Sequence, residues 1–167
     1  MKHFLSILFI VACFSAQGQV DTTTPPYKRF PALPPIQILL SDSTTLFTKA
    51  DLKENKPLLL MVFSPECSHC QHETEEMIAH KNEMKDIQIV LITMYPFDKM
   101  RGFISKYKLD ELSNVVVGRD INYFTPGFYN IRNLPFMAMY DKKGQLIGGF
   151  EGSLSIPEVI QVFNAVK

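Results

Sequence analysis

Residues 58–63 (LLLMVF) and 87–94 (IQIVLITM) are nearly unbroken apolar runs of strand length. A strand with water on one face alternates polar and apolar side chains. Runs without that alternation predict strands covered on both faces, which are usually parallel and central in their sheet. Between them, residues 68–85 are rich in helix formers and carry Met77, Ile78 and Met84 at helical spacing. Strand, helix and strand in that order predict a right-handed crossover unit, which commits the chain to helices packed on a sheet.

The rest of the chain fits around this unit. Residues 36–40 and 44–47 read as short strands about the turn Ser41-Asp42-Ser43, and 51–57 as a polar loop or helical turn. In residues 98–107, Met100, Phe103, Ile104 and Tyr107 follow the i, i+3, i+4, i+7 pattern of an amphipathic helix, with Asp98 as its expected cap. Residues 115–117 form a short strand, and 120–129 are expected to turn helically before Pro126. Residues 136–140 and 146–150 form a β-hairpin across Asp141-Lys142-Lys143-Gly144, and 155–166 a closing helix that tolerates Pro157 in its first turn.

At 167 residues the chain is long enough for one domain with a proper core. Residues 25–35 (PPYKRFPALPP) hold five prolines in eleven positions, so 19–35 is expected to be an extended leader or tether. The folded domain is expected over 36–167. Lysine plus arginine equals aspartate plus glutamate, 17 of each, so no basic field supports a nucleic-acid partner.

Residues 1–18 (MKHFLSILFIVACFSAQG) have a positive end at Lys2, an apolar run over 4–14, and Ala16 and Gly18 spaced for cleavage. These are the marks of a secretory signal peptide, with a mature chain beginning near Gln19. The run is far short of the roughly 20 residues that span a bilayer. Ile10-Val11-Ala12-Cys13 also has the form of a lipobox, which would make Cys13 a lipid anchor. Either route exports the domain to a periplasmic or other extracytoplasmic space and leaves Cys67 and Cys70 as its thiol pair, where disulfides are permitted.

Residues 64–73 (SPECSHCQHE) concentrate two cysteines, two histidines and two glutamates at the end of a buried strand and the start of a helix. Cys67 falls at the helix N-terminus, where unpaired N–H groups and the dipole favour an anion such as a thiolate. Cysteines separated by two residues at such a turn can also close a disulfide, so the pair can cycle. His69, when protonated, would favour the Cys67 thiolate, and Glu66 would oppose it. Glu73 follows Cys70 by three residues on nearly the same helix face, as a proton relay would, although it could equally pair with His69 or stand in solvent. His72 faces away from Cys70. Two alternatives remain at this point. A structural zinc site needs four ligands and would have to recruit His72 and His80 to a single Cys-x-x-Cys, and a structural disulfide closing so short a loop would restrain the unfolded chain little.

With these motifs in order, residues 36–167 resemble the thioredoxin-like superfamily, and within it the TlpA/ResA-like extracytoplasmic thiol:disulfide oxidoreductases. The resemblance rests on the leading strands, PLLLMVFSPECSHC, the helix carrying Glu73, and YNIRNLPFMAMYDKKGQLIGGFEG over 129–152. It implies a thioredoxin-like α/β fold, with a central mixed sheet flanked by helices and short extra N-terminal strands. It also implies a cis-proline at Pro135, with Pro135 and the Leu134 backbone beside the cysteines as the substrate-binding segment, and proton transfer as the role of Glu73. Glu66 stands where many relatives have tryptophan, the chain has no tryptophan, and Met61 replaces the buried aspartate of cytosolic thioredoxins. The last two depart from a housekeeping thioredoxin.

The activity implied is dithiol–disulfide exchange between Cys67-Cys70 and exported protein thiols or disulfides, with a membrane-embedded electron donor as a further partner. The direction of electron flow is open. No metal and no cofactor beyond the redox-active Cys67-Cys70 disulfide is expected. The alternative is a non-catalytic thioredoxin-fold module that binds peptides at Leu134-Pro135 or carries a metal on the dithiol.

Overall fold

The computed structural model describes residues 23–166. The expected signal peptide, the cleavage point and Cys13 lie outside the described residues. Seven strands form one mixed sheet: β1 (Gln37–Leu39), β2 (Leu46–Thr48), β3 (Leu58–Val62), β4 (Gln88–Thr93), β5 (Val115–Arg119), β6 (Phe136–Tyr140) and β7 (Leu146–Glu151). Their order across the sheet is β2-β1-β5-β4-β3-β6-β7. The neighbours β3, β4 and β5 run parallel, and β1, β2, β6 and β7 pair antiparallel.

The apolar runs sit where their composition predicts. β3 lies between β4 and β6, with Leu58 opposite Gln88 and Tyr140, and Val62 opposite Ile92 and Phe136. Side chains alternate across a strand, so β3 feeds two cores. Leu59, Met61 and Phe63 enter a core shared with Met77 of α2 (Ser68–Ala79), Phe103 of α3 (Phe97–Tyr107) and Phe163 of α5 (Ile156–Ala165). On the opposite face, Leu58, Leu60 and Val62 join Ile38, Val90, Tyr129 of α4 (Phe124–Tyr129) and Tyr27 of α1 (Pro26–Arg29).

Several local expectations are corrected. The leader is not extended throughout: α1 makes one helical turn, with Pro26 where a missing N–H is harmless. Beyond it, Ala32 bridges Gln145, Leu33 N–H donates to the Gly144 carbonyl, and Leu146 N–H donates to that of Pro31. Tyr27 and Leu33 have apolar surface to bury, and proline content alone does not register that gain. The helix expected over 68–85 ends at Ala79. The chain turns at His80, and Met84 still reaches the core from the turn that leads into β4. α3 begins at Phe97 behind Pro96, so Asp98 is a first-turn acid facing the dipole and makes no cap. α4 runs through Pro126, which occupies its first turn, and the Asp120 carboxylate accepts from Thr125 N–H and hydroxyl and from Asn122 N–H.

The β1–β5 contact depends on a missing side chain. A Cβ at Gly118 would come within 2.6 Å of Ile38 Cδ1, whereas one at Gly102, in α3, meets nothing within 4 Å. Overpacking of this kind costs about 1–3 kcal/mol, so Gly118→Val is expected to lower the urea midpoint accordingly. In the same assay Gly102→Ala is expected to gain about 0.5–1 kcal/mol from reduced chain entropy.

Candidate active site

The parallel strands β3, β4 and β5 end on one side of the sheet, and the turn leaving β3 carries the cysteines. Ser64 organises that turn: its hydroxyl accepts from Glu66 N–H at 3.2 Å and its carbonyl from Cys67 N–H at 3.2 Å. Cys67 is the N-cap residue of α2, with extended backbone and no side-chain oxygen on the first helical N–H groups. A sulfur anion in that position meets the positive end of the helix dipole.

Cys67 is half-buried and Cys70 fully buried, both as free thiols. Burial pushes the Cys70 thiol up to about 12; the hydrogen bond and charge of neighbouring Cys67 add to this, and a hydrogen bond with the Ser64 backbone opposes it. Across the neutral range Cys70 is therefore a thiol, which leaves Cys67 as the accessible sulfur.

The Leu134-Pro135 peptide is cis, and Cys67 Sγ lies 3.7 Å from the Leu134 carbonyl oxygen, to which the thiol donates weakly. Pro135 is buried and Leu134 half-buried. The segment is held from β7. The Gly152 N–H donates to the Pro135 carbonyl at 2.8 Å, and the Glu151 carboxylate accepts from Arg132 N–H at 2.8 Å and from the Asn133 amide at 3.3 Å. Glu151 is absent from the sequence reading, and no local pattern marks it because its partners are 18 and 19 residues away.

Glu73 is neither in solvent nor exposed beside His69. It is 2% exposed, on the inward stripe of α2 with Cys70, Thr74 and Met77. One carboxylate oxygen, Oε2, is buried with no hydrogen-bond partner. Burial pushes its carboxyl above the usual range; Ser153, His72 and the Leu154 backbone pull it back, while Glu76 adds to the rise. The groups acting on Glu73 thus come from the loop between β7 and α5 and from its own helix. His69 and His72 are exposed.

Glu66 is exposed and ion-paired: Lys99 Nζ lies 2.8 Å from its Oε1. Lys99 lies in α3 and is a second residue that the sequence reading misses. His80, a candidate fourth ligand in the zinc alternative, caps α2 at the end away from the cysteines and bonds Glu83 at 2.7 Å. Among the described residues, no three histidine, cysteine or acidic side chains come together as a metal-binding group, and no helix is long and apolar enough to cross a membrane.

A family model described as a thioredoxin-like domain matches residues 48–167. No curated protein matches the chain in sequence. Among solved structures, it is similar to a secreted Mycobacterium tuberculosis disulfide oxidoreductase homologous to Escherichia coli DsbE, with TM-score 0.65, 21% identity, and coverage of 78% of this chain and 95% of that one. The exposed lipoprotein thioredoxin Etrx1 of Streptococcus pneumoniae gives TM-score 0.62 at 18% identity, covering 79% and 99%. Peroxidoxin BcpB of M. tuberculosis gives 0.69 at 12%, covering 81% and 96%. At these identities the likeness is one of fold, and proteins with different chemistry share it.

The raised Glu73 carboxyl has a consequence for stability. The folded protein favours the protonated form more than the unfolded chain does. That contribution is complete below the ordinary value of 4.5 and is lost as pH rises through the folded value. Glu73→Gln keeps a neutral side chain at every pH. It is expected to be more stable than wild type at pH 8 and close to it at pH 4, read by urea denaturation at both.

Proposed function

The chain belongs to the thioredoxin-like domain family, and from that premise we propose that it is an extracytoplasmic thiol–disulfide oxidoreductase acting on exported proteins through Cys67 and Cys70. The observation that carries this reading is the pairing of a half-exposed sulfur at a helix N-terminus with a fully buried one, beside the Leu134 carbonyl. The arrangement divides the labour: one sulfur meets the client and the other waits behind it.

In the reducing direction, the Cys67 thiolate attacks a client disulfide. A Cys67–client mixed disulfide forms, and the first client sulfur leaves and takes a proton. Cys70 then gives up its proton and attacks the Cys67 sulfur, which forms the Cys67-Cys70 disulfide and expels the second client thiol. The client loses its disulfide and the protein gains one. Two electrons from a membrane-embedded donor would return the protein to the dithiol. Run backwards, the same steps donate a disulfide.

The second step needs a base, because Cys70 is fully buried and burial, the main cause that pushes its thiol up, persists when Cys67 is joined to the client. Glu73 is one helical turn away on the same inward stripe, and its raised carboxyl is better matched to taking a proton near neutrality than an ordinary glutamate. We assign it that role. Leu134, with its carbonyl beside Cys67, is assigned to pair with an extended client segment, and Pro135 to set the base of that groove. Glu66 and His69 adjust the thiolate.

Export rests on the lysine-led apolar segment at the N-terminus, either as a cleaved signal peptide or as an anchor at Cys13. A secreted relative in fold and an exposed lipoprotein relative in fold are consistent with either route.

The test is capture. Cys70→Ser, expressed with its own leader in an exporting cell, is expected to accumulate mixed disulfides through Cys67. These should appear as higher bands on non-reducing gels that collapse with dithiothreitol, and Cys67→Ser/Cys70→Ser should give none. Absence of captured clients, with Cys67 inert to alkylation in the purified protein, would overturn the reading.

A further inference from the structure

The residue before Cys67 sets a problem. A glutamate there places a carboxylate against a developing thiolate and disfavours it. A free Glu66 side chain could also turn to the unpaired N–H groups at the start of α2 and compete with the sulfur for them. The folded chain answers both effects from another element. Lys99, the third residue of α3, brings Nζ to 2.8 Å from Glu66 Oε1, so the carboxylate is drawn across to α3 and its charge is offset.

The other charged groups named on α2, α3 and β5 do not do this. His69 and His72 lie exposed on α2 itself. Asp98, beside Lys99, reinforces the ammonium rather than Glu66. Arg101 and Arg119 are engaged with the Phe97 ring, at 5.7 and 5.1 Å, and with the Ser41 and Met94 carbonyls. The cis-Pro segment presents a carbonyl to the sulfur.

Resting on the redox reading above, we propose that Lys99 is a positioning residue for Cys67, acting through Glu66 by holding and offsetting the carboxylate next to the attacking sulfur. The ion pair is 53% and 55% exposed, and pairs so open to water add little to folding. Removing the pair is therefore expected to leave stability nearly unchanged, which separates an effect on the thiol from one on folding.

The experiment is the pH profile of iodoacetamide alkylation of Cys67 in the reduced full chain, with the modified residue mapped by mass spectrometry. Lys99→Met is expected to move the midpoint up by about half a pH unit, about threefold less thiolate on the acid side, a size set by exposed pairs. Lys99→Arg should keep the wild-type midpoint. In a Glu66→Gln background, Lys99→Met should shift nothing, because the group it acts through is gone. The difference should shrink in 1 M salt, where screening acts over about 3 Å. An unmoved midpoint in Lys99→Met overturns the inference, as does a shift of the same size in the Glu66→Gln background. A parallel equilibration of wild type in glutathione buffers separates the two ideas. If Cys67 and Cys70 form no reversible disulfide, the redox reading falls and this one with it. If they do and the Lys99→Met midpoint stays in place, this inference alone fails.

Discussion

The central strand β3 has no wet face. Its five residues are almost completely buried, between a parallel neighbour and an antiparallel one, with a hydrophobic core on each side of the sheet. A strand in that position cannot slip by one residue without exchanging every side chain between two differently shaped cores. Its end is therefore fixed, and the chain leaves it at one point, into Ser64 and the first turn of α2. The two cysteines inherit their positions from that constraint. Cys67 falls at the N-cap because β3 ends at Val62 and the turn that follows closes at Cys67, and Cys70, one helical turn on, points back into the core that β3 helped to build.

That chain of dependence explains what was legible in the sequence. LLLMVF and IQIVLITM announce their burial by the absence of alternation, and they form β3 and β4 in parallel register. The hairpin of 136–140 and 146–150 is equally plain and appears as β6 and β7. The inward stripe of α2 was harder to read. Cys70, Glu73, Thr74 and Met77 share it, so two polar residues stand where an amphipathic pattern calls for apolar ones. The spacing of Glu73 alone thus leaves relay, pairing with His69 and solvent exposure open, and the fold shows it buried.

What the sequence could not supply is pairing at a distance. Lys99 looks like any lysine in the first turn of a helix until α3 is set beside the turn that leaves β3. Glu151 looks like the end of a strand until the segment before Pro135 folds over it. Both act on the cysteine site, and both become visible only when two elements meet. The prolines of the leader misled in the opposite sense. They mark a segment unable to extend a helix, yet one turn and one bridge suffice to seat Tyr27 against Tyr129 and Phe136.

The bridge between Ala32 and Gln145 ties the N-terminal segment to the turn of the β6–β7 hairpin, far along the chain. Contacts of such long sequence separation form late, because closure of the intervening loop must precede them. Synthesis runs from the N-terminus, so the segment from α1 to Leu33 emerges long before the hairpin it docks on. Until then Tyr27 and Leu33 have no core to enter, and afterwards the Pro31 carbonyl pairs with Leu146 at the start of β7, an edge strand whose unpaired backbone groups are otherwise open to another chain. A chain that stops short of Tyr129 therefore keeps Tyr27 and Leu33 as exposed apolar surface, because the residues that seat them have not yet been made.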